Sequence, residues 1–200
     1  FFQAEDGIRD CLLSRGLGDV YKRQNPYSFI LNENPISLLY NNENCENCLE
    51  LNSLSKSHNM AGWRLGMVVG SKNNIQSILK IKSNMDSGMF YGIQKGAIAA
   101  LNTSKQWFDN LNAVYEKRRS LVWKLVSQLG CTYDKNSSGM FVWAKLPNSY
   151  NSEQFTDDLL DQKHIFIAPG TIFGSNGVGF VRFSLCADEN AIKEAIKRTA

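Results

Sequence analysis

Fourteen residues, Ser53-Leu54-Ser55-Lys56-Ser57-His58-Asn59-Met60-Ala61-Gly62-Trp63-Arg64-Leu65-Gly66, concentrate the donor chemistry of this chain. Ser53, Ser55, Lys56 and Arg64 bring two hydroxyls, an amine and a guanidinium within twelve residues. Gly62 and Gly66 allow a backbone to approach a ligand closely. A guanidinium fork matches two oxygens of a phosphate, and hydroxyls suit the others. The amine has a separate use. A lysine is ordinarily protonated at neutral pH, and desolvation, a neighbouring cation or imine formation turns it into a nucleophile or base.

The elements that must hold this loop follow from pattern. Cys48-Leu49-Glu50-Leu51-Asn52 alternates and predicts a short strand before it, and Leu65-Gly66-Met67-Val68-Val69 predicts another after it. Ile75, Ile78 and Leu79 place a helix beyond the Gly70-Ser71 turn, and Tyr91–Leu101 reads as a second helix of small residues. A long helix is expected over Ser104–Leu129, with Trp107, Leu111, Val114, Leu121, Leu125 and Leu129 on its apolar face and Gly130 as its stop. Its Lys117-Arg118-Arg119 run reads as a solvated face. Beyond it, strands are expected at 139–144, 165–168 and 180–185, with helices capped by Ser152 and Asp188. The long helix then joins two α/β layers: 25–103, and 131–200 beyond a connecting 104–130.

Composition narrows the classes. The 200 residues carry 22 Lys+Arg against 19 Asp+Glu, a net charge of +3, too mild a balance to argue for nucleic acid or an anionic membrane surface. A hydrophobic share of 43% with 20% charged residues is that of a globular protein rather than a disordered or collagen-like one. No apolar run approaches the roughly 18 residues of a membrane span. Five Cys residues are odd in number and sparse, which suits a reducing cytoplasm better than a disulfide framework. Residues 1–24 scatter charge and glycine without period and are similar to translated sequencing-library adapter: Gln3–Asp10 to a primer end, Ser14–Gln24 to a transposase-recognition end, with Cys11-Leu12-Leu13 in the barcode slot. The segment is therefore set apart as non-native. The remainder starts abruptly at Asn25, so the natural protein is expected to extend upstream.

The loop resembles the cofactor-lysine motif of fold-type I pyridoxal-phosphate enzymes, specifically class I/II aminotransferases. Their pattern is Ser-x-x-Lys, an Arg eight residues after the Lys and a Gly two further on, and Ser53, Lys56, Arg64 and Gly66 fit every position. The resemblance implies a partial large domain with a mostly parallel sheet, plus a small C-terminal α/β domain. It implies that Lys56 carries pyridoxal 5'-phosphate covalently and that Ser53, Arg64 and Ser55 hold its phosphate. A second family element, Pro-Gly-x-x-Phe-Gly followed by a strand with Arg, matches Pro169-Gly170-Thr171-Ile172-Phe173-Gly174 and Arg182. Arg182 would clamp the substrate α-carboxylate. Tyr27 fits a Tyr that bonds the cofactor's phenolic oxygen, although Gln24 stands where the family has the Asp that pairs the ring nitrogen.

The resemblance therefore implies the C-terminal part of an aminotransferase that moves the amino group of an α-amino acid to a 2-oxo acid, as a cytoplasmic homodimer. As it stands, without the upstream half, the chain is expected to be inactive. Two alternatives share Lys56 and Arg64: a lyase or decarboxylase on the same fold, and an aminotransferase-like sensing domain of a transcription regulator. Cys45-Glu46-Asn47-Cys48 has CxxC spacing but no second pair for zinc, and reads as two reduced thiols. His58 and His164 assemble no metal or Ser-His-Asp site.

Overall fold

The computed structural model describes residues 21–24, 26–40, 46–147 and 150–200. The chain divides into two compact units, with a break between Ser104 and Lys105, and with Ile30–Asn32 grouped with the second.

The first unit is built on a three-stranded sheet in the order β1 (Tyr21–Gln24), β2 (Cys48–Ser53), β3 (Gly66–Gly70). β1 pairs parallel to β2, whereas β2 and β3 run antiparallel with Ser53 opposite Gly66 and Leu49 opposite Gly70. The connection, twelve residues from Leu54 to Leu65, turns back on itself rather than crossing over the sheet. Glu50 of β2 is buried, and its carboxylate accepts from the Ser37 hydroxyl at 2.6 Å and the Leu38 amide at 3.0 Å, which fastens the 36–39 segment to the strand. Cys48 is disulfide-bonded, so the expectation of a reduced thiol does not hold for it, and Cys45 lies outside the described residues.

Helix α1 (Leu54–Ser57) and a 3-10 turn (Ala61–Trp63) follow β2, inside what the sequence presents as a plain loop. After β3 come α2 (Lys72–Met85) and α3 (Tyr91–Leu101). The Ser71 hydroxyl caps α2 by accepting from Asn74. Leu54, Met60 and Leu65 form the unit's buried cluster, packed by Met67, Ile93, Ala97 and Ala100. By contrast Leu79, Ile81 and Met85 of α2 and Phe90, Tyr91, Ile98 and Leu101 around α3 are exposed. These apolar side chains lie bare on two helices consecutive in the chain.

The second unit packs α4 (Lys105–Gln128), α5 (Ser152–Lys163) and α6 (Glu189–Arg198) with a four-stranded sheet ordered β4 (Thr132–Tyr133), β5 (Phe141–Lys145), β7 (Phe180–Ser184), β6 (Ala168–Pro169), all pairings antiparallel. Val142, Ala144, Val181 and Phe183 alternate into the core from β5 and β7. The buried line of α4 is Tyr115, Val122, Leu125 and Val126; of the residues expected there, only Leu125 is fully buried, and Val114 is exposed. The basic run is not a solvated face. Lys117 is exposed, but Arg118 donates to the Leu185 carbonyl at 3.1 Å, and Arg119 donates to the Ser137 carbonyl at 3.2 Å while lying 4.8 Å from the Trp123 ring. Two of the three cations thus tie the helix to the chain beside it.

Other expectations shift locally. The 165–168 strand contracts to Ala168–Pro169, because Ile165 and Ile167 are buried by side-chain packing without entering a ladder. Asn151, not Ser152, caps α5 through a 3.0 Å bond from Gln154. Ser152 is buried and its hydroxyl accepts from the Gly179 amide at 3.0 Å. Asp188 caps α6 as expected, accepting from Ala191 at 2.8 Å. Ile30 is fully buried in this unit, its carbonyl accepting from Gly139 at 2.8 Å.

Between β6 and β7 the chain doubles back tightly. A Cβ on Gly177 would lie 1.9 Å from the Gly170 carbonyl oxygen, and one on Gly170 would lie 2.2 Å from that of Gly177. Both obstacles are backbone, so no rotamer relieves them. Gly177→Ala is expected to destabilise the protein by about 1–3 kcal/mol, read as a lower denaturant midpoint, whereas Gly62→Ala, which meets nothing within 4 Å, should leave it unchanged.

Candidate functional site

The end of β2 builds the site from its own backbone. Ser53 is the N-cap of α1: its hydroxyl accepts from the Ser55 amide at 3.2 Å and keeps its own hydrogen to donate. Capping starts α1 at once, which sets Ser55 and Lys56 on its first turn. Ser57 turns inward and bonds the Ser53 carbonyl at 3.2 Å and His58 Nδ1 at 2.8 Å. Leu54 donates to Leu65 at 3.2 Å, drawing the far end of the loop back beside the helix.

Arg64 stands at that far end with φ 52°, a left-handed conformation that an Arg adopts at a cost of about 1 kcal/mol or more. Two features hold it. Trp63 lies so close over α3 that a Cβ on Gly96 would meet its ring at 2.5 Å, and a Cβ on Gly66 would meet the Asn52 carbonyl oxygen at 2.8 Å. The obstacle at Gly66 is backbone, so no rotamer relieves it, whereas at Gly96 it is the Trp63 ring, which a side chain there would displace. The Arg64 side chain bonds the Ala61 carbonyl at 3.0 Å and is otherwise exposed, with no carboxylate paired to it among the described residues.

Lys56 is half-buried, and its amine makes no hydrogen bond or ion pair among the described residues. Ser53, Ser55, Lys56 and Arg64 are thus brought to one end of the β2–β3 pair, with hydroxyl, amine and guanidinium donors and, among the described residues, no acid paired with Lys56 or Arg64. That donor set suits a phosphate ester whose other end reacts with an amine, so the residues present fit a phosphorylated aldehyde. Gly62, with open space where its Cβ would be, leaves room beside them.

His58 completes the loop's titratable groups. Burial pushes its imidazole below the ordinary value of 6.5, opposed by a hydrogen bond to the backbone of Ala100. A lowered folded-state value means that the unfolded chain binds the proton more readily, so stability should be lost as pH falls through 6.5. His58→Gln should flatten that dependence in thermal melts taken across the same range.

Tyr27 lies half-buried in the 26–29 turn of the first unit. Arg182 belongs to the second unit, half-buried on β7 opposite Trp143 and Ala168. It occupies the face of the sheet opposite the Val142–Val181 core, and the Phe141 and Phe173 rings each lie 4.0 Å from its Cζ. The structure therefore brings together the Pro169–Gly174 motif and Arg182. Phe141, as a neighbour of Arg182, was not foreseen; its place two residues before Trp143 on an alternating strand was the available signal.

A mixed α/β chain in two units, with a donor-rich lysine loop at a strand end, defines an enzyme class that comparison identifies. Residues 24–198 match the family described as aminotransferase class I and II, and the chain belongs to that family. It is 37% identical over 177 residues to the LL-diaminopimelate aminotransferase of Dehalococcoides mccartyi, covering 88% of this chain and 46% of that protein. It is 41% identical over 150 residues to LL-diaminopimelate aminotransferase 2 of Trichormus variabilis, covering 75% and 38%. A Staphylococcus aureus aminotransferase structure superposes with TM-score 0.83 at 30% identity over 98% of this chain and 51% of its own. The chain thus spans about half the length of the curated relatives it matches.

Proposed function

We propose that this chain is the lysine-bearing part of a pyridoxal-phosphate-dependent aminotransferase that transfers the amino group of an α-amino acid to a 2-oxo acid. The observation that carries the reading is the Lys56 amine, without a partner among the described residues, set with Ser53, Ser55 and Arg64 on one loop in a chain of this family. Lys56 would hold the cofactor covalently, and Arg64 with the two hydroxyls would hold its phosphate. Tyr27 would bond the ring oxygen, and Arg182 would take the substrate α-carboxylate. The cofactor, when bound, supplies an electron sink for charge developing at the substrate Cα.

The protein's own share is binding, orientation and proton movement. Arg182 fixes the carboxylate, which leaves the amino group and Cα as the free end of the substrate. Lys56 Nζ would be the base that takes the proton from the substrate Cα and gives it up again in the course of the transfer. Relatives named for LL-diaminopimelate favour a transaminase over a lyase or a transcription regulator and make that amino acid the first substrate to try. The bare apolar faces of α2 and α3 support a homodimer in which further chain covers them. The test is to load the full-length enzyme with pyridoxal phosphate and supply LL-diaminopimelate with a 2-oxo acid. A new amino acid derived from the acceptor is the expected product. Release of ammonium or carbon dioxide without an acceptor would make it a lyase instead.

A further inference from the structure

The face of the small sheet that carries Arg182 is unusual for a half-exposed surface. Phe180, Trp143 and Phe141 stand on it with Arg182, since residues two apart on β5 and β7 share a side. Trp143 stacks on Phe180 with centroids 5.5 Å apart and meets Phe173 edge-on at 5.7 Å. Arg182 sits at the end of this ladder with two rings at 4.0 Å, one from the neighbouring strand and one from the turn above. Core packing does not explain the ladder, because the core lies on the other side of the same strands.

We propose that Phe141 and Phe173 are positioning residues that hold the Arg182 guanidinium in one pose, and so set the affinity for the substrate carboxylate. The proposal rests on the reading of Arg182 as the carboxylate clamp. A ring attracts the cation through its face and offers no oxygen acceptor, so the two ring contacts restrain the guanidinium without themselves competing with a carboxylate. A long side chain restrained beforehand loses less freedom when the ligand arrives.

The turn that supplies Phe173 is itself built to stay put. Gly170 and Gly177 touch backbone to backbone, Gly174 takes φ 117°, and the Thr171 hydroxyl donates to the Glu153 carboxylate on α5. Pro169 pairs with Val181, one residue from Arg182, so the turn starts in register with the strand it serves. Phe173 thus reaches Arg182 from a fixed platform.

The test compares Phe173→Leu, Phe173→Tyr, Phe141→Leu and Arg182→Ala in the full-length enzyme loaded with pyridoxal phosphate. Each Leu variant keeps apolar bulk and loses the ring; the Tyr variant keeps the ring at a half-buried position. Each Leu variant is expected to raise the amino-acid KM by about fivefold to tenfold with kcat little changed. Cofactor absorbance and melting temperature should stay as in the parent, and Phe173→Tyr should restore the parent KM. Parent-like KM in both Leu variants, alongside a large loss in Arg182→Ala, would overturn the positioning role and leave the clamp intact. An unaltered KM in Arg182→Ala would instead overturn the clamp, and this proposal with it. A Phe173→Tyr variant as impaired as Phe173→Leu would reduce the role of the ring to shape.

Discussion

Lys56→Ala in the full-length enzyme should reduce amino-group transfer to background while the protein melts as before. The two halves of this expectation come from the same observation. The Lys56 amine has no partner among the described residues, so its loss strands no acceptor and breaks no ion pair. Its backbone lies in α1, where alanine is at least as good a helix former. On the proposed reading the chemistry has no substitute within the loop, because Lys56 is the one amine in 53–66 and the serine hydroxyls form no imine. The measurement is borohydride reduction in the presence of pyridoxal phosphate, followed by peptide mapping. Label should appear on the peptide containing Lys56 and vanish in Lys56→Ala; label on another lysine would overturn the assignment.

The donor residues and several of the elements are legible in the sequence, and the reasons are local. The donor residues of the loop are legible by type and spacing, but the Ser53 cap and the short helix it starts are not, since 53–66 reads as a plain loop. The positions of α3, α4 and α6 follow from apolar period and termini, with Gly130 at φ 73° and Asp188 as cap acting at the expected places. Tertiary choices were not readable. Which stripe of α4 faces inward was decided by packing partners, so Val122 and Val126 were taken in place of Val114 and Leu121. Arg118 and Arg119 read as solvated because a charge run gives no hint that carbonyls of Leu185 and Ser137 wait beside it. Ser152 had the right residue type for a cap, but one position upstream Asn151 served, which freed Ser152 for Gly179. The pairing direction of β2 and β3 was likewise invisible to alternation, which sets the faces of a strand but not the direction of its neighbour.

Arg182→Ala carries the second large effect, and its size separates binding of substrate from binding of cofactor. A charge-assisted bidentate contact whose loss leaves a desolvated carboxylate unpaired is worth on the order of 2–4 kcal/mol. The full-length enzyme is therefore expected to lose about a few hundred-fold in kcat/KM for its amino acid. That is well beyond the loss expected from either flanking ring, as it must be if the rings act only through the guanidinium. The cofactor's absorbance should persist, because Lys56, Ser53 and Arg64 belong to the other unit and are untouched. The fold should tolerate the change, since Arg182 lies on the half-exposed face of β7 while Val181 and Phe183 hold the core side. Arg182→Lys should recover only part of the loss: an ammonium keeps the charge but cannot present two parallel donors, and it stacks less well on Phe141 and Phe173. Titration of the amino acid at constant cofactor gives the answer. Loss of cofactor binding with unchanged turnover per bound cofactor would place Arg182 with the cofactor rather than the substrate.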